Sequence, residues 1–89
     1  MHYFKVTLRV RNEVGVLTRI TTRLRKFQVN IQSLDVAPID PEERFSDIHM
    51  VLETHKTDIR IIMSKIESII PVIKANWAPK EIGRDMPTI

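Results

Sequence analysis

The side chains able to do covalent chemistry in this chain are few. There is no cysteine, which removes a thiolate nucleophile, a thiolate zinc site and a disulfide scaffold together. The two glycines, Gly15 and Gly83, stand too far apart to build a phosphate-cradling loop, and no G-x-S-x-G occurs. His2, His49 and His55 lack H-x-H or H-x-x-x-H spacing, so they read as surface or sheet-face residues, and no metal is expected. Glu42 and Glu43 are adjacent acids in a turn, where solvation is their expected role. What remains is binding chemistry. Asn12-Glu13-Val14-Gly15 leads straight into an apolar helical pattern. The first turn of a helix has N–H groups without intrahelical acceptors, and its dipole favours negative charge, so a carboxylate would be held there. Gly15 permits positive φ or close approach of a ligand, and Asn12 offers an amide at the end of the preceding strand. A turn glycine with a local Asn cap and no ligand fits the same spacing equally well. Asn30, between Val29 and Ile31, is a second unusual residue, because Asn is disfavoured in strands. Its amide has either a nearby turn or a ligand to bind.

The elements that position these residues follow from periodicity. Phe4, Val6, Leu8 and Val10 alternate with Tyr3, Lys5, Thr7 and Arg9, the pattern of a half-buried strand. From Val16 the spacing becomes three and four. Val16, Leu17, Ile20, Leu24 and Phe27 form one stripe, with Arg19, Arg23 and Lys26 opposite, predicting an amphipathic helix whose basic side is a solvated face. Residues 29–39 return to strand character, but the inward parity switches from Val29 and Ile31 to Leu34 and Val36, which predicts a bulge near Gln32 and Ser33. Pro38, Asp40 and Pro41 form a turn. Phe45 to Thr54 alternates again, with Ile48, Met50 and Leu52 inward. Thr57 or Asp58 caps a second helix carrying Ile59, Ile62, Met63 and Ile66, and Pro71 ends it. Val72 to Trp77 is a last strand, with Ile73, Ala75 and Trp77 on one face. The order is βαββαβ, an α+β ferredoxin-like sandwich with two helices on one face of a four-stranded antiparallel sheet.

Eighty-nine residues suffice for one small domain, here residues 1–78 with a short polar tail at 79–89. A core this size buries only about 60 to 65% of the surface its unfolded chain exposes, so a partner subunit would help. With 43% hydrophobic and 28% charged residues the chain is neither disordered nor membrane-spanning, and its apolar runs fall far short of the ~20 residues a span needs. The N-terminus lacks a signal-peptide pattern, so a cytoplasmic location is expected. The net charge of +3 is unevenly spread. Residues 1–28 hold seven basic side chains and one acidic, residues 29–59 two basic and seven acidic. This asymmetry points to contact between complementary subunits rather than to nucleic acid.

Leu8-Arg9-Val10-Arg11-Asn12-Glu13-Val14-Gly15-Val16-Leu17-Thr18-Arg19-Ile20, followed by Val29-Asn30-Ile31-Gln32-Ser33-Leu34, resembles the ACT domain of acetohydroxyacid synthase small subunits, also called acetolactate synthase regulatory subunits. The resemblance covers residues 3 to 77. Its specific part is N-x-x-G-V-L-x-R-I with a following N-I-x-S-L. It implies a noncatalytic subunit that binds a branched-chain amino acid, chiefly valine, as feedback inhibitor, in its short form with a single ACT unit. The family's ligand positions fall on Asn12, Gly15, Val16, Leu17, Asn30 and Ile31. A homodimer with ligand at the subunit boundary is implied, as is a separate catalytic large subunit carrying thiamine diphosphate, magnesium and FAD, with no cofactor on this chain. Where the family usually has S-R-x-T-I, this chain reads Ser46-Asp47-Ile48-His49-Met50, and Val14 stands where Pro or a small polar residue is common.

Other functions on this topology have weaker support. A stand-alone ACT amino-acid sensor for another enzyme shares the G-V-L portion. An RNA-binding module would stack bases on sheet-face aromatics, whereas the outward positions of strand three are Asp47, His49 and Val51. An acylphosphatase-like enzyme needs a glycine-rich loop, and only Gly15 is at hand.

Overall fold

Alternation in the first strand decides which way the sheet faces. The computed structural model describes residues 2–55, 58–69 and 72–80, which form β1 (His2–Arg11), α1 (Val16–Lys26), β2 (Asn30–Pro38), β3 (Phe45–Thr54), α2 (Ile59–Glu67) and β4 (Val72–Lys80). Val6, Leu8 and Val10 are almost fully buried, while Lys5 and Arg9 are exposed. β1 pairs antiparallel with β3 and with β4, and β2 with β3, giving the order β2-β3-β1-β4. The helices cover one face: Val16, Ile20 and Leu24 of α1 and Ile59, Ile62, Met63 and Ile66 of α2 join Val6, Leu8, Val10, Ile48, Met50 and Leu52 in one core. This is the ferredoxin-like βαββαβ arrangement expected.

The helix ends follow local chemistry. Asp58 caps α2, accepting the Arg60 backbone N–H at 2.9 Å; a carboxylate also suits the positive end of the helix dipole. Thr57 and Pro71, the other expected boundary residues, lie outside the described residues. α1 closes with the Gln28 N–H donating to the Arg25 carbonyl at 3.0 Å and the Val29 N–H to the Leu24 carbonyl at 3.2 Å, the paired bonds of a Schellman motif. That motif needs a left-handed residue, and here it is Gln28 at φ 58°. A non-glycine residue there costs about 1 kcal/mol. Gln28→Gly is therefore expected to raise the thermal midpoint by about 4 to 8 °C, read by calorimetry. An unchanged midpoint would mean that Gln28 regains its strain through contacts elsewhere.

The expected β2 bulge is present, with Ile31 opposite Leu52, Ser33 opposite Val51 and Gln32 skipped. Leu34 and Val36 therefore face the helical side, opposite the buried Met50 and Ile48. They are nevertheless 41% and 45% exposed, because β2 is an edge strand and the helical layer leaves that edge uncovered. β4 departs from expectation twice. It continues past Trp77, pairing Pro79 with Phe4 and Lys80 with Tyr3, so the first two residues assigned to the tail belong to the sheet; an edge strand tolerates Pro79. A register shift opposite Arg9 and Val10 also sets Val72, not Ile73, across from Val10, and Ile73 is exposed. Gly83 and Pro87 lie outside the described residues.

Candidate functional site

The loop after β1 is held from two directions. The Asn12 N–H donates to the Arg44 carbonyl at 2.8 Å, and the Asn12 side-chain amide donates to the Glu43 carbonyl. The Asp40–Arg44 turn thus braces the loop from across the sheet end. The turn is itself tied down, since Asp40 Oδ1 accepts the Phe45 N–H at 3.0 Å. That backbone hydrogen bond, more than the neighbouring Arg44 guanidinium, holds the Asp40 carboxyl below its ordinary range. The solvation expected of Glu42 and Glu43 leaves this bracing out, because it runs through the backbone carbonyls of Glu43 and Arg44.

Gly15 occupies the N-cap of α1 at φ 81°, and no side chain caps the helix. The Val16 N–H reaches the Glu13 carbonyl at 3.2 Å, and the first full helical bond runs from Arg19 N–H to the Gly15 carbonyl at 2.9 Å. The Leu17 and Thr18 amides that lie between belong to the open first turn, whose donors need partners from outside the helix. A Cβ built on Gly15 would meet nothing within 4 Å, so the space over this turn is open. Val14 beside it is 98% exposed, while Val16 is buried and Leu17 packs partly against the core. The result is an uncapped helix start with apolar neighbours, suited to an anion that carries an aliphatic group.

Asn12, Gly15, Val16 and Leu17 therefore come together, but Asn30 and Ile31 do not join them. Asn30 pairs with Glu53, which in turn pairs with Tyr3, near the start of β1. Asn12 follows Arg11 at its end. The two groups are separated by about eight strand residues, roughly 25 Å. The Asn30 amide donates to Glu53 Oε1 at 3.3 Å, and Gln32 Nε2 donates to Glu53 Oε2 at 2.6 Å. Ile31 is partly buried against the core.

The sheet face away from the helices is polar. Arg9 makes a two-pronged contact with Asp47, Nε to Oδ1 at 3.0 Å and Nη2 to Oδ2 at 3.3 Å, so the Asp47 carboxylate finds its cation on the adjacent strand. The Arg9 hydrogen bond holds the Asp47 carboxyl below its ordinary range, with His49 and Lys74 adding charge. A depressed folded-state pKa stabilises the fold above the unfolded carboxylate value, about 3.9, and that contribution fades as pH falls through the folded value. For a pair this exposed it amounts to no more than about 1 kcal/mol. Asp47→Asn is expected to lower the melting temperature slightly near neutrality and to match wild type in strong acid; a gap that persists below the carboxylate range would contradict the assignment. A shallow concavity of about 330 Å³ on the same face is lined by Lys5, Thr7, Asp35, His49 and Val51 among others, and Thr7 Oγ1 lies 3.4 Å from His49 Nδ1. It lies mid-sheet, away from the Gly15 loop. Among the described residues no group of three or more metal-ligating side chains forms, and no helix is long and apolar enough to cross a membrane.

The strand order and the two helices on one face define a ferredoxin-like domain. Several solved structures share it at identities that speak to fold alone. A protein of unknown function from Galdieria sulphuraria superposes with TM-score 0.77 at 18% identity, over 90% of this chain and 45% of that one. The ACT domain from the GTP pyrophosphokinase of Chlorobium tepidum gives 0.71 at 15%, over 88% of this chain and all of that one. An ACT domain protein from Streptococcus pneumoniae gives 0.71 at 13%, over 88% and 89%. No curated protein matches the sequence significantly. The family profile of the AHAS small subunit-like ACT domain matches residues 6–74, and the chain belongs to that family. Membership indicates an amino-acid-sensing, regulatory role rather than catalysis.

Proposed function

We propose that this chain is a regulatory subunit of acetohydroxyacid synthase that binds a branched-chain amino acid, valine foremost, at sites completed by a second copy. The observation that carries this reading is the separation of the two halves of the family's ligand motif to opposite ends of one sheet. β2 is an open edge. In a two-fold pair joined along β2, each strand runs antiparallel to its mate, so the start of one β2 lies beside the end of the other. Asn30 and Ile31 of one copy then approach Asn12, Gly15 and Val16 of the second. Leu34, Val36 and Ile39, all substantially exposed, would be covered in the same step.

In each site the open first-turn amides of α1 take the ligand carboxylate, the Asn12 and Asn30 amides orient its polar end, and Leu17 and Ile31 face its aliphatic side chain. The catalytic chain, with thiamine diphosphate, magnesium and FAD, is a separate polypeptide. Binding alone changes no activity; valine must favour one state of the complex, by about 1 to 3 kcal/mol for ordinary coupling. Isothermal titration with valine, leucine and isoleucine tests the reading. Saturable heat with one site per chain is expected, strongest for valine. No heat and no thermal shift with any of the three would refute it.

A further inference from the structure

The two ends of the sheet carry opposite charge. Where β2 begins, the last turn of α1 presents Arg23, Arg25 and Lys26, and α1 contains no acidic residue. Where β2 ends, the turn into β3 holds Asp40, Glu42 and Glu43 against Arg44 alone. The ion pairs found among the described residues use Arg9, Arg11, Arg44 and Arg60 as cations, and none draws on α1. The helix dipole rewards a cation in the last turn, but three clustered there also repel one another. In the acidic turn Arg44 is shared, lying 3.3 Å from Asp40 and 2.9 Å from Glu42, and among the described residues no ion pair engages Glu43.

We propose that the basic end of α1 in one copy docks against the acidic Asp40–Arg44 turn of a second copy. The inference rests on the β2-to-β2 pairing proposed above. An antiparallel edge pairing related by a two-fold axis sets positive against negative at both ends of the seam, whereas a parallel pairing would set like charges together. Charge therefore selects the two-fold arrangement. The acidic turn is the one whose Glu43 and Arg44 carbonyls hold Asn12, so the contact ends on the brace of the ligand loop, and dimer strength and amino-acid affinity rise together.

Charge reversal tests this. Sedimentation equilibrium on the full chain compares wild type with Glu42→Lys/Glu43→Lys and with Arg25→Glu/Lys26→Glu, all exposed positions, with circular dichroism confirming the fold. Each double variant alone is expected to dimerise at least about tenfold more weakly than wild type, and high salt to narrow the difference. An equal mixture of the two variants, whose heterodimer is complementary at both contacts, is expected to regain association near the wild-type level. Variants that dimerise like wild type, or a mixture as weak as its components, would overturn the charge contact while leaving the edge pairing in place. A wild-type chain that stays monomeric with and without valine would overturn the pairing itself, and this contact with it.

Discussion

Gly15→Asp is expected to abolish amino-acid binding while leaving the domain folded. The fold tolerates the change because a Cβ at this position meets nothing within 4 Å and Asp is among the residues that enter the left-handed region most readily. A carboxylate at the N-cap also suits the helix dipole. That is why binding fails: the new side chain supplies the anion that the first-turn amides would otherwise take from the ligand. Loss of charge-assisted hydrogen bonds of this kind, with repulsion added, is worth about 3 kcal/mol, on the order of a hundredfold in Kd. Gly15→Ala separates charge from shape. It bears the backbone cost of φ 81°, about 1 kcal/mol, but adds no anion, so it should melt lower and still bind. Titration calorimetry beside thermal melts checks both. If the Asp variant binds valine as wild type does, the ligand carboxylate is not held at this turn.

Asn30→Ala is expected to weaken binding comparably, although within one chain Asn30 lies at the far end of the sheet from Gly15. Its stability cost should stay within about 0.5 kcal/mol, since the residue is exposed and Glu53 keeps its 2.6 Å bond from Gln32. A variant that folds, dimerises and fails to bind identifies Asn30 as a ligand contact rather than a structural one. Undiminished affinity would leave the amide with only its bond to Glu53.

Much of the fold was legible because strand and helix periods leave unmistakable traces. The bulge at Gln32 showed itself as a parity switch from Ile31 to Leu34, since one skipped residue turns every later side chain over. The exposure of Leu34 and Val36 did not show, because alternation reports which face a residue takes, whereas burial depends on how far the helical layer reaches. Nor could the register of β4 be read. Val72 and Ile73 are both apolar, so nothing in the sequence says which lies opposite Val10. Ala78-Pro79-Lys80 has no alternation at all, and its place in the sheet comes from pairing with the start of β1.

The candidate site divides the same way. Gly15 ahead of an apolar helical stripe is a local signal of a turn before a helix, and Gly15 takes the positive φ that such a turn uses. The bracing of Asn12 by Glu43 and Arg44 joins residues about thirty positions apart and has no local trace. The separation of Asn30 from Asn12 is a property of topology: β1 and β2 both run antiparallel to β3, so the end of one and the start of the other lie at opposite ends of the sheet. That separation makes a second copy necessary to the proposed site.

Mixing Gly15→Asp with Asn30→Ala tests this sharing most directly. In a heterodimer one boundary combines both defects, while the other joins an intact Gly15 loop to an intact Asn30. Two chains that each bind on the order of a hundredfold more weakly alone should therefore recover tight valine binding on mixing, at roughly a quarter of the wild-type site number for random exchange between isologous dimers, with affinity near wild type. A mixture that exchanges subunits yet binds no valine would contradict a site built across two copies.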